Sequence, residues 1–317
     1  MRRKVFGLVT TLLAVSLLTF LLTSLLPGDP AVAILGANGV TQESIAAVRK
    51  QLDLGHPLPA RYLSWLGHAV HGDLGRSYVL NRSVGSQIHA RLPITLEIIV
   101  LSLVLALVVA IPLGVVTAYK SSSLGDKVAS IGTFVGLAVP NFVVGVFLIL
   151  IFAVHWRLLP PSGWVALSKD PIANLKTAAL PAVTLALPQI AVFSRLLRGD
   201  MRATLDEDFV SFADAKGLST RRILLGHALR PSSFSLVTVA GLQVGFLIGG
   251  TVVIETLFNV PGIGQLLVNG IYQRDLVTVQ GVTLFVATAF VIVNFVVDIL
   301  YTVLDPRIRR GHVAARA

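Results

Sequence analysis

Residues 98–119 read IIVLSLVLALVVAIPLGVVTAY, a run without a single charge. At 1.5 Å per residue such a helix is ~33 Å long, enough to cross the ~30 Å hydrocarbon core of a bilayer. Working outward, further charge-free runs occupy 5–28, 128–156, 177–194, 231–254, 256–273 and 276–297. Six of these seven runs suit a spanning helix. The run 256–273, TLFNVPGIGQLLVNGIYQ, carries one proline, three glycines, two asparagines and two glutamines. It reads as an irregular or re-entrant segment shielded by protein. The whole chain agrees: of 317 residues 54% are hydrophobic and 13% charged, and the mean hydropathy is +0.80. That balance excludes an ordinary soluble enzyme, which could not cover its own surface, and it excludes disorder. The expected fold class is an all-α integral membrane protein with six transmembrane helices.

Direction follows from charge. With the N-terminus inside, the inner segments 1–4, 119–128, 195–233 and 305–317 hold 16 Lys and Arg in 66 residues. The outer segments 27–93, 156–177 and 258–278 hold 10 in 110. Basic residues gather on the cytoplasmic side, so both termini are expected inside. This accounts for the net charge of +10 without invoking nucleic acid. The first run follows Arg2, Arg3 and Lys4 and is too long for a signal-peptide core, so it reads as a retained span. Two loops have substance: an outer segment 27–93, expected as short helices on the outer face, and an inner segment 195–233. The tail after Asp305-Pro306 is short and basic.

Much chemistry is excluded. There is no cysteine, hence no thiolate nucleophile and no disulfide. No P-loop, no H-E-x-x-H and no Gly-x-Ser-x-Gly occurs. His68 and His71 are three apart with Asp73 near, and two imidazoles without a third fixed ligand make a weak metal candidate. Polar residues inside the runs are more telling, because lipid-buried polar groups tend to face protein or water. Asn141, Gln189 and Gln243 lie near the middle of the third, fourth and fifth spans. They suit either a path for a polar solute or interhelical hydrogen bonds. Glu97 and Glu255 fall near outer ends, where they are expected to reach water. Asn294 and Asp298 share a face of the last span, with structural pairing expected. Pro112, Pro140, Pro181 and Pro188 interrupt spans two to four, and kinked helices suit a cavity or gate.

Residues 206–230 read DEDFVSFADAKGLSTRRILLGHALR. Asp206, Glu207 and Asp208 suit a helix N-terminus. Gly217 stands where that helix should stop, and Thr220 is placed as the N-cap of the next. A helix, a glycine turn and a second helix between two spans would form a compact lever. An amphipathic helix touching lipid head groups is the plainer reading.

This segment resembles a known family. Ala213-x-Ala215-Lys216-Gly217-Leu218, followed by Ile223-Leu224 and His227-Ala228-Leu229-Arg230, is similar to the cytoplasmic "EAA" loop of ABC importer permeases. The likeness is to the dipeptide/oligopeptide/nickel branch, and it extends over most of the chain. It includes Leu26-Pro27-Gly28-Asp29-Pro30, Gly72-Asp73-Leu74-Gly75-x-Ser77 and Arg91-Leu92-Pro93-x-Thr95-Leu96-Glu97. It continues through Leu159-Pro160-Pro161-Ser162-Gly163, Glu255-Thr256-x-Phe258-x-x-Pro261-Gly262-x-Gly264 and Leu304-Asp305-Pro306-Arg307.

The resemblance implies a type I importer permease with no catalytic site or cofactor of its own. ATP and Mg would be bound by two partner ATPase subunits, beside a homologous second permease and an outer substrate-binding protein. It implies residence in the bacterial inner membrane and half of a pathway for short peptides. Nickel complexes, glutathione or haem are the alternative cargo in this branch. By the same likeness Ala213, Asp214, Ala215, Lys216, Gly217, Leu218, Arg221 and Arg222 make the ATPase contact, with small side chains at Ala213 and Ala215 allowing close approach. The chain divides into an N-terminal helix with its outer segment, 1–93, and a core permease domain, 94–317. Departures are Asp214 where a basic or neutral residue is usual, Pro231 for Asn and Ser235 for Pro, and they are expected to shift the start of the fifth span. An intramembrane enzyme would need a buried acid pair, and among the aspartates Asp298 alone lies deep enough. A receptor scaffold without transport is the third class.

The expected topology is directly testable in a cysteine-free chain. Cysteine at Ser64 should react with an impermeant thiol reagent in whole cells, and cysteine at Ser219 should not. The reverse pattern would overturn the orientation.

Overall fold

A computed structural model describes residues 2–24, 41–51, 55–77, 79–120, 131–133 and 136–304. Ten helices are introduced here: α1 (Arg2–Ser24), α2 (Gln42–Gln51), α3 (Leu58–Val70), α4 (Val84–Tyr119), α5 (Asn141–His155), α6 (Pro171–Leu205), α7 (Asp208–Ala215), α8 (Thr220–Leu257), α9 (Ile263–Tyr272) and α10 (Leu276–Leu304). Four of them, α4, α6, α8 and α10, are long and apolar enough to cross a membrane. A fifth span results if α5 is joined to the helical piece before residues 139–140. The N-terminal helix adds a shorter apolar stretch, Val5–Leu21. The expected runs 5–28 and 128–156 lie partly outside the described residues, and Leu26–Pro30 and Asp305–Arg307 lie wholly outside them.

The spanning helices overrun the apolar runs that announce them. The run 98–119 becomes the last two-thirds of a 36-residue helix, and 231–254 the middle of a 38-residue one. Polar flanks continue a helix once it is nucleated, because each added residue gains a backbone hydrogen bond. Prolines do not stop them: Pro181 and Pro188 lie inside α6, and Pro112 inside α4. Pro140 does mark a break, standing as the N-cap of α5. Pro231 sits within α8, one turn after a wide π-type turn at Ile223–Ala228. The helix that carries the fifth span runs on from Thr220 through Pro231.

Helix ends are closed by one recurrent device. At Gly72, Gly217, Asn259 and Arg274 the backbone takes positive φ, at 85°, 75°, 51° and 55°. In each case the next N–H bonds the carbonyl five residues back: Asp73 to His68 (3.0 Å), Leu218 to Ala213 (3.3 Å), Val260 to Glu255 (2.8 Å) and Asp275 to Gly270 (2.8 Å). These are Schellman ends, which satisfy carbonyls that a helix would otherwise leave bare. At the other pole, Asp170 caps α6 by accepting from the N–H groups of Ile172 and Ala173 (3.0 Å each), with Pro171 at the first helical position.

The chain forms two compact units, 1–95 with 261–292, and 96–260 with 293–317. The second is built on α6. Phe193, Leu197 and Met201 are fully buried against Ala106, Ala110, Ala118, Ala228 and Ala240. Lipid offers little hydrophobic drive for helix pairing, so close approach over small residues supplies the dispersion contacts. The first unit has its own core of Val84, Ile88, Ile263, Leu266 and Val282. The part of the run 256–273 that lies in this unit begins at Pro261 and forms the short helix α9, whose Ile263, Gly264, Leu266 and Gly270 are buried. In the same unit Asp275 is buried and accepts from the hydroxyls of Ser77 and Thr278. The Ile263 N–H bonds Thr95 Oγ1 at 2.9 Å.

Gly75 is demanded twice in that unit: its φ is +87°, and a Cβ there would lie 2.7 Å from Val277 Cγ1. Gly75→Ala should therefore lower the unfolding midpoint in detergent, by ~1–3 kcal/mol of stability from strain and overpacking together. Adding Val277→Ala should recover the steric part and not the φ part; full recovery would show that φ costs nothing.

Candidate functional site

The segment 205–230 folds as the sequence suggests, with corrections in detail. Glu207, in extended backbone, precedes α7. Val210 and Ala213 turn inward onto Ile223, with Leu205 and Leu218 packed against them. The Leu218–Ala213 contact is the apolar clasp that accompanies a Schellman end. Nothing lies within 4 Å of a Cβ built on Gly217, so the glycine is needed for its φ of +75° and not for space. Ser219, and not Thr220, is the N-cap of the next helix; it caps without a side-chain bond, and its carbonyl accepts from Arg222 (2.8 Å) and Ile223 (3.0 Å). An extended residue directly after the Schellman turn is what re-aims the chain, and that place falls to Ser219.

Ala213 is buried inside this turn, 6% exposed, so its small side chain serves the internal packing and does not face outward. Asp214, Ala215, Lys216, Gly217, Arg221 and Arg222 are exposed, and Leu218 is half-buried. The outward face also carries two aromatic rings that reading the sequence did not single out, Phe209 and Phe212, at 46% and 70% exposed. Their signal was available: two phenylalanines three apart in a segment between spans. The loop is joined stiffly to both neighbours. Ser232 Oγ lies 2.9 Å from Thr204 Oγ1, tying α8 to the end of α6, and α8 continues from the loop to Leu257 without interruption.

The three amides are not equivalent. Gln243 Nε2 donates to Gln189 Oε1 at 2.6 Å, bridging α8 and α6, and Gln189 is buried. Asn141 is half-buried at the first turn of α5, directly after the break at Pro140. A Cβ on Gly145, one turn on, would come within 2.7 Å of Leu257 Cδ2 and 3.3 Å of Thr184 Cγ2, so α5 is held close to α6 and α8. The Gln pair uses one donor and one acceptor, and the other half of each amide is not engaged by it.

Other expectations shift as well. Glu255 does not reach water; it is fully buried, because the Asn259 turn folds Phe258 and Val260 inward beyond it. Glu97 is half-buried, and Asp298 is exposed on α10. His68 and His71 each place Nδ1 on their own helix's carbonyls, Ser64 O (2.9 Å) and Gly67 O (2.7 Å). A carbonyl only accepts, so Nδ1 carries the proton and Nε2 points away. Among the described residues no group of three or more His, Asp or Glu side chains could hold a metal ion.

With this geometry in view, comparison with known proteins is informative. Residues 110–310 match the family described as "Binding-protein-dependent transport system inner membrane component". Residues 1–99 match "Binding-prot-dependent transport system membrane comp, N-term". The chain belongs to this family of membrane components of binding-protein-dependent transport systems. A protein of Brucella abortus (strain 2308), named as a peptide transport system permease, is 39% identical over 307 residues, 97% of this chain and 98% of that one. The dipeptide transport system permease protein DppB of Escherichia coli (strain K12) is 36% identical over 330 residues, 97% of each chain.

The amide pair gives a test that separates packing from passage. Gln243→Leu strands the buried Gln189 amide and should cost ~1–3 kcal/mol in the thermal stability of the assembled complex, and Gln189→Leu, which strands the half-buried Gln243, should cost less. The double variant should recover most of that stability, yet import poorly. Normal uptake by the double variant would remove both residues from the path.

Proposed function

We propose that the chain is one of two homologous permease subunits of an ATP-driven importer in the bacterial cytoplasmic membrane, with both termini inside. It forms half of the pathway for short peptides. The names of the relatives support that cargo, and neutral amides at Gln189, Gln243 and Asn141 match the donors and acceptors of a peptide backbone without requiring net charge. A binding protein delivers substrate from outside, and two ATPase subunits, which hold ATP and Mg, hydrolyse it inside. The chain has no nucleotide motif and contributes no catalytic group. The family matches to 1–99 and 110–310 support a functional division near residues 93 and 94.

The observation that carries this reading is the lever at 205–230. It is a short helix with an exposed aromatic face, closed by a left-handed turn and welded to a helix that runs through the membrane. In the proposed role Phe209, Phe212, Ala215 and Lys216 seat in the ATPase, with Asp214, Arg221 and Arg222 on the rim. Ala213, Gly217 and Leu218 hold the shape of the turn.

Gly217→Val puts a β-branched residue where φ is +75°, at a cost of ~1–2 kcal/mol. Membrane insertion should persist, while ATPase copurification falls or substrate-stimulated hydrolysis uncouples from uptake. Phe212→Ala should weaken ATPase retention with the turn intact. Wild-type retention, hydrolysis and uptake in both variants would show that this segment is not the coupling site.

A further inference from the structure

Helix α3 is attached broadside to α1. Ser16 Oγ lies 2.8 Å from Tyr62 OH. The Phe20 ring meets Tyr62 and Trp65 with centroids 5.5 and 5.7 Å apart, and the Arg61 guanidinium stands 5.9 Å from the same ring. Ser16 and Phe20 are buried by this seam. Both belong to the last turns of the apolar stretch Val5–Leu21, so the seam sits where that stretch nears the end of the hydrocarbon. With 13 residues, ~20 Å of helix, α3 is too short to span.

The side chains of α3 sort by flank. Tyr62, Trp65, Leu66 and Ala69, at helical spacing, are half-buried. Leu63 and Val70, seven apart and so on one adjoining flank, are 66% and 76% exposed. Ser64, His68 and His71, all exposed, lie roughly 120° further round the helix, away from the half-buried face. On α1, Leu13 and Leu17, beside Ser16 and Phe20 on the helix surface, are also exposed, so lipid reaches the edge of the seam. Tyrosine and tryptophan favour the membrane–water boundary, where ring and polar tip find different solvents.

We propose that α3 is an interfacial membrane anchor: it lays Leu63 and Val70 into the acyl-chain side of a phospholipid surface and keeps Ser64, His68 and His71 toward water. The occupant of its exposed apolar flank is lipid, because α3 is seated on the apolar stretch Val5–Leu21, which itself exposes Leu13 and Leu17, and because Tyr62 and Trp65 stand at the seam.

The chain has no cysteine, so single nitroxide labels at Leu63, Val70, Ser64 or His68 can be placed in the full chain. The assembled complex is reconstituted in phosphatidylcholine–phosphatidylglycerol vesicles. Oxygen partitions into acyl chains and a nickel chelate into water. At 63 and 70 relaxation by oxygen should exceed that by the chelate, and at 64 and 68 the order should reverse. Should Leu63→Cys fail to assemble, Val70→Cys carries the test. Chelate-dominated relaxation at 63 and 70 would overturn the proposal by placing the flank in water. Shielding from both reagents would overturn it by showing a protein cover. Neither result bears on peptide import, which uptake in the same vesicles reports separately.

Discussion

An unpaired backbone N–H or C=O in hydrocarbon costs several kcal/mol, and this cost governs the rest of the molecule. It explains why α6 runs through Pro181 and Pro188 as one helix. It agrees with α8 running on through Pro231 without a break. The four Schellman ends likewise bond carbonyls that a frayed helix would leave bare, through the first residues of the next segment. Arg274 and Asn259 accept a left-handed backbone, a cost of about 1 kcal/mol for a residue with a Cβ, which is small beside several unsatisfied carbonyls.

The segment between α6 and α8 is closed by the same kind of helix end. Its turn is closed by the Gly217–Asp214 and Leu218–Ala213 backbone bonds, its apolar clasp is Leu218 on Ala213, and its second helix runs on to Leu257. In the proposed coupling, work applied to its outward face, where Phe209 and Phe212 stand, would pass into α8 and, through the Ser232–Thr204 hydrogen bond, into the end of α6. The Gln189–Gln243 bond lies on the same two helices, so a change in their packing reaches the candidate path without a separate relay.

The spans and the segment 206–230 were legible because lipid forces long apolar runs and because glycine marks a left-handed turn. The rest needed tertiary contacts. Ala213 and Ala215 look alike in sequence, yet one lies inside the turn and the other outside, and only the position of Ile223 and Leu218 separates them. Glu255 reads as a residue at a helix end in water; the turn that buries it is closed by Asn259, which carries a weaker signal than glycine. The Asp275–Ser77 contact joins residues 198 apart in sequence, beyond the reach of any local pattern.

The central claim is that the segment 205–230 and the membrane-crossing part of α8 move as one body. The most direct measurement is the distance distribution between spin labels at Ser211→Cys and Val237→Cys, in an assembled complex active in uptake, without nucleotide and with trapped ATP. The account predicts one narrow distribution that is the same in both states. A distance that changes with nucleotide would place a hinge at the wide turn 223–228 and contradict it.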